Sequence, residues 1–329
     1  MDISTGVPQG SILGPLLFII YINDIPNSTE KFDLIMYADD TTMYIPIDNT
    51  SLSSQELTTT LNNEMGNISD WFKVNKLALN EKKTKYMLFG MPQREIKSIN
   101  LKIDEKQIEM VKQFNFLGLE LDNNMNWSCH INKIATKISK SIGIMNKVKY
   151  ILPQHILLML YNTLILPHLN YCLLTWGTQT TRMFKLQKKA MRILNLSKYN
   201  AHTEPIFKML RILKLEDLYK YRMMKFYYKL RTFNIPSYFA RCLETIIRQT
   251  SHNTRFQNEL HLPHLRILHD YGKRGIHYNL IKITNEMPRN VMSKVFTHSL
   301  SGFSNYAKDT ILDQYSLTCQ IVNCYVCTT

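Results

Sequence analysis

The chain has 329 residues, and its 40 Lys plus Arg against 26 Asp plus Glu give a formal net charge of +14. A hydrophobic content of 45% excludes wholesale disorder, and six cysteines at this length exclude a disulfide scaffold. No apolar run approaches the roughly 20 residues needed to span a bilayer, and no basic stretch leads into an apolar one as in a secretory signal, so a soluble protein of a reducing, intracellular compartment is expected.

The charge is segregated. Residues 1–120 carry 11 basic and 16 acidic side chains, whereas residues 121–329 carry 29 and 10. An acidic first third followed by a basic remainder points to a chemical centre joined to a surface that holds a polyanion. In chain order, residues 6–15, GVPQGSILGP, hold three Gly and two Pro and form a shaped loop. Ser11 can cap the helix that follows, and the run through residues 16–22 predicts that this helix is mostly buried. Two β-prone runs, residues 34–38 and 41–45, flank Asp39 and Asp40, which predicts a hairpin with both carboxylates at its tip. Residues 53–73 show helical spacing, and strands are expected at 86–89 and 114–121.

Beyond Trp127 the pattern is almost purely helical. Ile131, Ile134, Ile138, Ile142 and Met145 make one apolar stripe, and further helices are expected at 155–166, 182–196, 203–212 and 215–231. Lys133, Lys137 and Lys140 recur at helical spacing, as do Lys185, Lys188, Lys189 and Arg192, and then Arg222, Lys225, Lys229 and Arg231. Few acids balance them, so these faces suit non-specific neutralisation of a nucleic-acid backbone. The tyrosines interleaved with the last group read as core more readily than as base-stacking platforms. After residue 236 the pattern weakens. His261, His264 and His269 match no catalytic spacing, and Cys319, Cys324 and Cys327 lack the fourth ligand of a structural zinc site.

The chemistry concentrates at Asp39 and Asp40. Adjacent carboxylates repel unless a cation stands beside them, and hard oxygen ligands suit Mg²⁺ or Mn²⁺. Gly10 permits close backbone approach, Gln9 offers an amide donor and acceptor, and a helix N-terminus after Ser11 favours anions.

Taken together, GVPQGSILGPLLFIIYINDI, YADDTT, LALNEKKTKYMLF, FNFLGLELDNNMNWSCHI, ILPQHILLMLYNTLILPHLNYCLLTWG and LQKKAMRIL occur in an order that resembles the reverse transcriptases of non-LTR (LINE-type) retrotransposons, most closely the jockey-like arthropod elements. The resemblance covers about residues 3–230. It implies an α+β fold in three parts: 1–122 as the C-terminal part of a right-hand polymerase palm, with antiparallel strands plus helices; 123–235 as a mainly α-helical thumb; and 236–329 as a basic C-terminal region. It implies catalytic roles for Asp39, Asp40 and Lys83, with Asp39 and Asp40 as metal ligands and Lys83 assisting pyrophosphate departure. Gly6, Pro8, Gln9, Gly10, Ser11 and Tyr37 would line the nucleotide and template pocket. An RNA template, a DNA primer and dNTPs are the implied partners, without a membrane.

In that family an earlier strand, upstream of GVPQGS, supplies another metal-binding Asp, and Asp2 lacks the apolar strand context to replace it. The expectation is therefore that the chain alone has little polymerase activity unless the missing N-terminal part of the same element supplies that residue. A non-catalytic nucleic-acid-binding remnant is the alternative. The unpartnered outer edge of the hairpin is expected to be prone to association.

Overall fold

The structure is a computed structural model, and it describes residues 7, 10–47, 53–90, 99–232, 267 and 270–317. Predicted features at Gly6, Pro8, Gln9, the three histidines and the C-terminal cysteines lie outside these residues. The chain divides into two compact units, Met1–Phe114 and Asn115–Thr329. The architecture mixes helices with small two-stranded sheets. Among the described residues no helix is long and apolar enough to cross a membrane.

The first unit contains helix α1 (Leu13–Ile22), a 3-10 turn at Ile25–Ser28, the hairpin β1 (Asp33–Tyr37) and β2 (Asp40–Tyr44), and helix α2 (Ser54–Val74). The short strands β3 (Lys85–Tyr86), β4 (Lys102–Ile103), β5 (Lys106–Gln107) and β6 (Glu109–Met110) follow. A capping box starts α2: Ser53 Oγ accepts from the Glu56 N–H at 3.2 Å, and the Glu56 carboxylate accepts from the Ser53 N–H at 2.9 Å. Leu57, Leu61 and Met65 on one face of α2 pack with Ile99, Leu101, Ile103 and Ile108 to make a small core, which Phe32, Met43 and Ile45 of the hairpin region join.

Three expectations for residues 1–122 fail at the level of the elements. Helix α1 forms but is not mostly buried: only Ile22 is, while Leu16, Leu17, Ile19 and Ile20 stand 48–64% exposed. The helix is apolar all round, and the small core has no face to cover it. The strand predicted at 86–89 shrinks to Lys85–Tyr86, because its ladder with β6 runs only through the pairs Lys85–Glu109 and Tyr86–Met110. The strand predicted at 114–121 is two strands, β7 (Gln113–Phe116) and β8 (Leu119–Asp122), broken by a turn in which Leu117 and Gly118 have φ of +46° and +85°.

The second unit is helical: α3 (Ser128–Val148), α4 (Gln154–Leu164), α5 (Leu166–Asn170), α6 (Leu173–Trp176), α7 (Thr181–Leu194), α8 (Glu204–Met209) and α9 (Leu215–Thr232). The predicted stripe of α3 is its buried face, from Ile131 to Met145. Helix α8 stops short of residue 212 because Arg211 takes a φ of +52°, which an α-helix cannot hold. Tyr219, Tyr227 and Tyr228 of α9 are buried in the core, as their spacing suggested.

The weakly patterned C-terminal region adds α10 (Ile276–Glu286), α11 (Arg289–Thr297) and α12 (Leu300–Asp313). Leu280, Val291, Val295, Phe303 and Ile311 enter the same core as α3 and α9, and Phe303 stacks on Tyr228 at 4.9 Å. Just past α12, the Tyr315 hydroxyl donates to the Asp217 carboxylate at 2.6 Å and accepts from the Lys214 N–H at 3.0 Å.

Candidate functional site

The hairpin register decides where the two carboxylates stand. Tyr37 pairs with Asp40, so the two-residue loop is Ala38-Asp39 and Asp40 is the first residue of β2. The expectation of an Asp39-Asp40 tip is corrected by one position. Ala38 accepts a φ of +52°, and this lets the strands join through so tight a loop. Asp39, Asp40 and Tyr37 are all exposed. Alternation gives the hairpin two faces. Leu34, Met36 and Met43 lie half-buried on one, and Ile35, Tyr37 and Tyr44 remain 41–65% exposed on the other with Asp40.

The Ala38 conformation costs an L-residue about 1–2 kcal/mol. Ala38→Gly is expected to stabilise the hairpin by up to about 1 kcal/mol, with Gly's larger loss of chain entropy as the offset. Slower hydrogen exchange of the β1 and β2 amides would register it, and unchanged exchange would show the turn unstrained.

Gly10 has φ of +87° with open space where a Cβ would lie, so the backbone there needs glycine for its conformation and not for want of room. Ser11 Oγ accepts the Gly14 N–H at 3.0 Å, capping the entry to α1. Lys83 is exposed in a turn, where its N–H donates to the Asn80 carbonyl at 3.0 Å and to Asn80 Oδ1 at 3.2 Å. Among the described residues no hydrogen bond or ion pair joins Lys83 to the hairpin tip.

In the second unit Lys133, Lys137 and Lys140 share the exposed face of α3. Lys133 is ion-paired with Glu120. On α7, Lys185 and Lys189 are exposed, while Lys188 lies over the Phe184 ring at 4.4 Å. Arg192 Nε donates to the Ala201 carbonyl at 2.8 Å, and burial lowers its basicity. Arg222 donates to Asn170 at 3.1 Å, and half-buried Lys225 lies 5.6 Å above the Tyr221 ring. The basic side chains thus divide into exposed cations and cations engaged in packing.

The reverse transcriptase (RNA-dependent DNA polymerase) family matches residues 2–121, which include the loop before α1 and the whole hairpin. The RNA-directed DNA polymerase of the mobile element jockey from Drosophila melanogaster is 25% identical over 281 residues, 80% of this chain and 30% of that protein. Residues 2–121 are thus similar to reverse transcriptases, and most of the chain is similar to RNA-directed DNA polymerases of mobile elements.

Two further relatives extend the comparison. The probable RNA-directed DNA polymerase from the D. melanogaster transposon X-element is 23% identical over 206 residues, 59% of this chain and 22% of that protein. The Pol polyprotein from the type-1 retrotransposable element R1 2 of Nasonia vitripennis is 25% identical over 189 residues, 52% of this chain and 43% of its own length. The chain spans less than a third of the jockey and X-element proteins it matches. No solved structure matches it.

Reverse transcriptases generally depend on a divalent metal. The donor chemistry at the hairpin fits that requirement in kind: two hard carboxylates face water, as a Mg²⁺ ion that keeps several waters requires. Among the described residues no third His, Cys, Asp or Glu joins them.

Two features of the second unit are absent from the sequence patterns. Asp122, buried, accepts three backbone N–H groups, from Asn124, Asn126 and Trp127, and shapes the entry to α3. The Asx-turn composition of DNNMN was the available signal. His130 and His168 line one cleft from different helices, and no local pattern announces that.

Proposed function

We propose that this chain carries the catalytic hairpin and the nucleic-acid-holding helices of an RNA-directed DNA polymerase. The observation that carries the proposal is the YADD hairpin itself, with Asp39 in an exposed two-residue loop and Asp40 in register with Tyr37. In this reading residues 1–122 form the C-terminal part of a right-hand palm, 123–235 the thumb, and 236–329 a basic region that braces it.

Asp39 and Asp40 would hold the divalent ion, Mg²⁺ or Mn²⁺, which when bound would supply activation of the primer 3′-hydroxyl and offset charge on the leaving pyrophosphate. Tyr37 borders the primer terminus beside Asp40. Gly6, Pro8, Gln9, Gly10 and Ser11 border the incoming dNTP and the RNA template. Gly10's open backbone admits a close approach, and Gln9 has both a donor and an acceptor for a base or sugar edge. Lys83 supplies a proton to the departing pyrophosphate. Lys137, Lys140, Lys185 and Lys189 neutralise backbone phosphates of the RNA·DNA duplex, with Lys133, Lys188 and Arg192 at the edges of those faces.

Primer extension on poly(rA)/oligo(dT) tests this. In a protein that unites these residues with a third carboxylate at the hairpin, Asp39→Ala or Asp40→Ala should lower extension by about 10³-fold, the equivalent of roughly 4 kcal/mol of transition-state stabilisation. Retained extension would remove the hairpin from the chemistry. A second reading, a remnant that binds nucleic acid without catalysis, draws on the exposed lysines of α3 and α7 alone. Extension by the chain alone well above its Asp39→Ala, Asp40→Ala double variant would eliminate that reading.

A further inference from the structure

The second unit has a cleft of about 210 Å³ lined by Gly118, His130, Lys133, Ile134, Lys137, His168 and Tyr171. Three elements build it: the turn before β8, the first half of α3, and α5 with the residue that follows. The Tyr171 hydroxyl donates to the Leu117 carbonyl, tying the turn to the end of α5. Gly118, at φ +85°, lies against the Tyr171 ring, and a Cβ there would meet that ring at 3.7 Å.

The polar inventory of the cleft is one-sided. His130 is only 2% exposed, and its Nδ1 accepts the Glu120 N–H at 3.3 Å. The proton of the neutral ring therefore sits on Nε2, and Nε2 is buried with no hydrogen-bond partner. Burial first, and then Lys137, lower the basicity of His168; burial and the lysines do the same for His130, against the opposing pull of Glu120. Lys137 thus stands near both imidazoles. The Glu120 carboxylate is committed to Lys133 and Asn115. Among the described residues no carboxylate pairs with Lys137. The cleft is lined by an unopposed cation and two imidazoles, one of which has a buried Nε2–H lacking an acceptor, and an anionic oxygen suits that lining.

We infer that this cleft is a phosphate site that seats one phosphodiester of a bound nucleic-acid strand, with Lys137 supplying charge and His130 and His168 lining it as hydrogen-bonding groups. The inference rests on the nucleic-acid reading of the second unit and gives it one fixed point. Of the three lysines on the α3 face, it singles out Lys137 over Lys133, which Glu120 already neutralises.

The test is fluorescence anisotropy of a labelled RNA·DNA hybrid titrated with the full chain over a series of salt concentrations. Lys137→Ala should weaken binding and reduce the slope of log K against log salt by about 1, the signature of one lost phosphate contact. His168→Asn should weaken binding while leaving the slope unchanged, because a neutral side chain releases no counterion. Circular dichroism confirms that each variant is folded, and Lys137→Gln provides a second charge removal that keeps the side-chain length.

Wild-type affinity and slope in Lys137→Ala, Lys137→Gln and His168→Asn would overturn the site while leaving the nucleic-acid reading intact. Failure of the wild-type chain to bind any hybrid at low salt would overturn both. Inorganic phosphate at constant ionic strength separates the two sources of this chemistry. It should compete weakly, and competition as effective as that of the hybrid's own phosphates would reassign the cleft to a free phosphate.

Discussion

Gln187→Leu is expected to destabilise the second unit by about 3–5 kcal/mol, a large part of the roughly 5–15 kcal/mol that holds a domain together. Gln187 is 1% exposed on α7 and uses its whole amide. Its Nε2 donates to the Tyr161 hydroxyl at 3.1 Å and to the Leu213 carbonyl at 3.0 Å, and its Oε1 accepts the Leu215 N–H at 2.9 Å. One side chain therefore joins α4, α7 and the start of α9. Tyr161 is buried deeply enough that its phenol is pushed up to about 12. Leucine has nearly the same volume, so the loss is not a cavity but three polar groups left dry. Each unsatisfied group costs about 1–3 kcal/mol, and the interior's low dielectric increases the cost. Urea denaturation followed by circular dichroism should show a lower midpoint with an unchanged slope. A shift below about 1 kcal/mol would mean that water enters and replaces the amide.

Asp122→Ala should cost the same unit about 3 kcal/mol. Its carboxylate collects the N–H groups of Asn124 and Asn126 at 3.1 Å and of Trp127 at 3.0 Å. Trp127 is 3% exposed at a φ of +62°, a conformation an L-residue holds only when its surroundings impose it. The carboxylate is what imposes it, and the reward is a buried indole and a fixed start for α3. Asp122→Asn keeps one acceptor and should lose about half as much. Thermal unfolding of the two variants tests the order: equal losses would make the charge irrelevant, and no loss in either would place the organisation of the loop elsewhere. Because α3 carries Lys137 and His130, Asp122→Ala should also weaken hybrid binding.

What was legible in advance has a common character. The helical spacing over residues 53–73, the stripe from Ile131 to Met145 and the strands on either side of Asp39 and Asp40 are patterns within a few turns or residues of chain. Local backbone geometry makes them, so local sequence reports them. The failures are equally systematic. The strand expected at 114–121 breaks because Leu117 joins Gly118 at positive φ, which no propensity assigns to leucine. The all-round apolar helix α1 looked like a core element, yet burial depends on what lies against it, and most of its face is exposed. The C-terminal helices were missed because their stripes are short and their anchors distant: Tyr315 reaches Asp217 across 98 positions and Lys214 across 101.

The sequence by itself determined the chemistry: two adjacent carboxylates between apolar strands, a Gly- and Pro-rich loop before a helix, and a basic remainder, each defined by residue types in near succession. The −5 of residues 1–120 and the +19 of residues 121–329 follow from counting charges along the chain. Only the tertiary structure decided which carboxylate occupies the loop, since register depends on the pairing of Tyr37 with Asp40. It alone decided which cations are exposed and which are engaged, since that depends on neighbours such as Glu120, Phe184 and Ala201. And it alone brought His130 and His168 to one cleft beside Lys137. Distances between side chains far apart in the chain are set by how helices pack, and no local pattern encodes them.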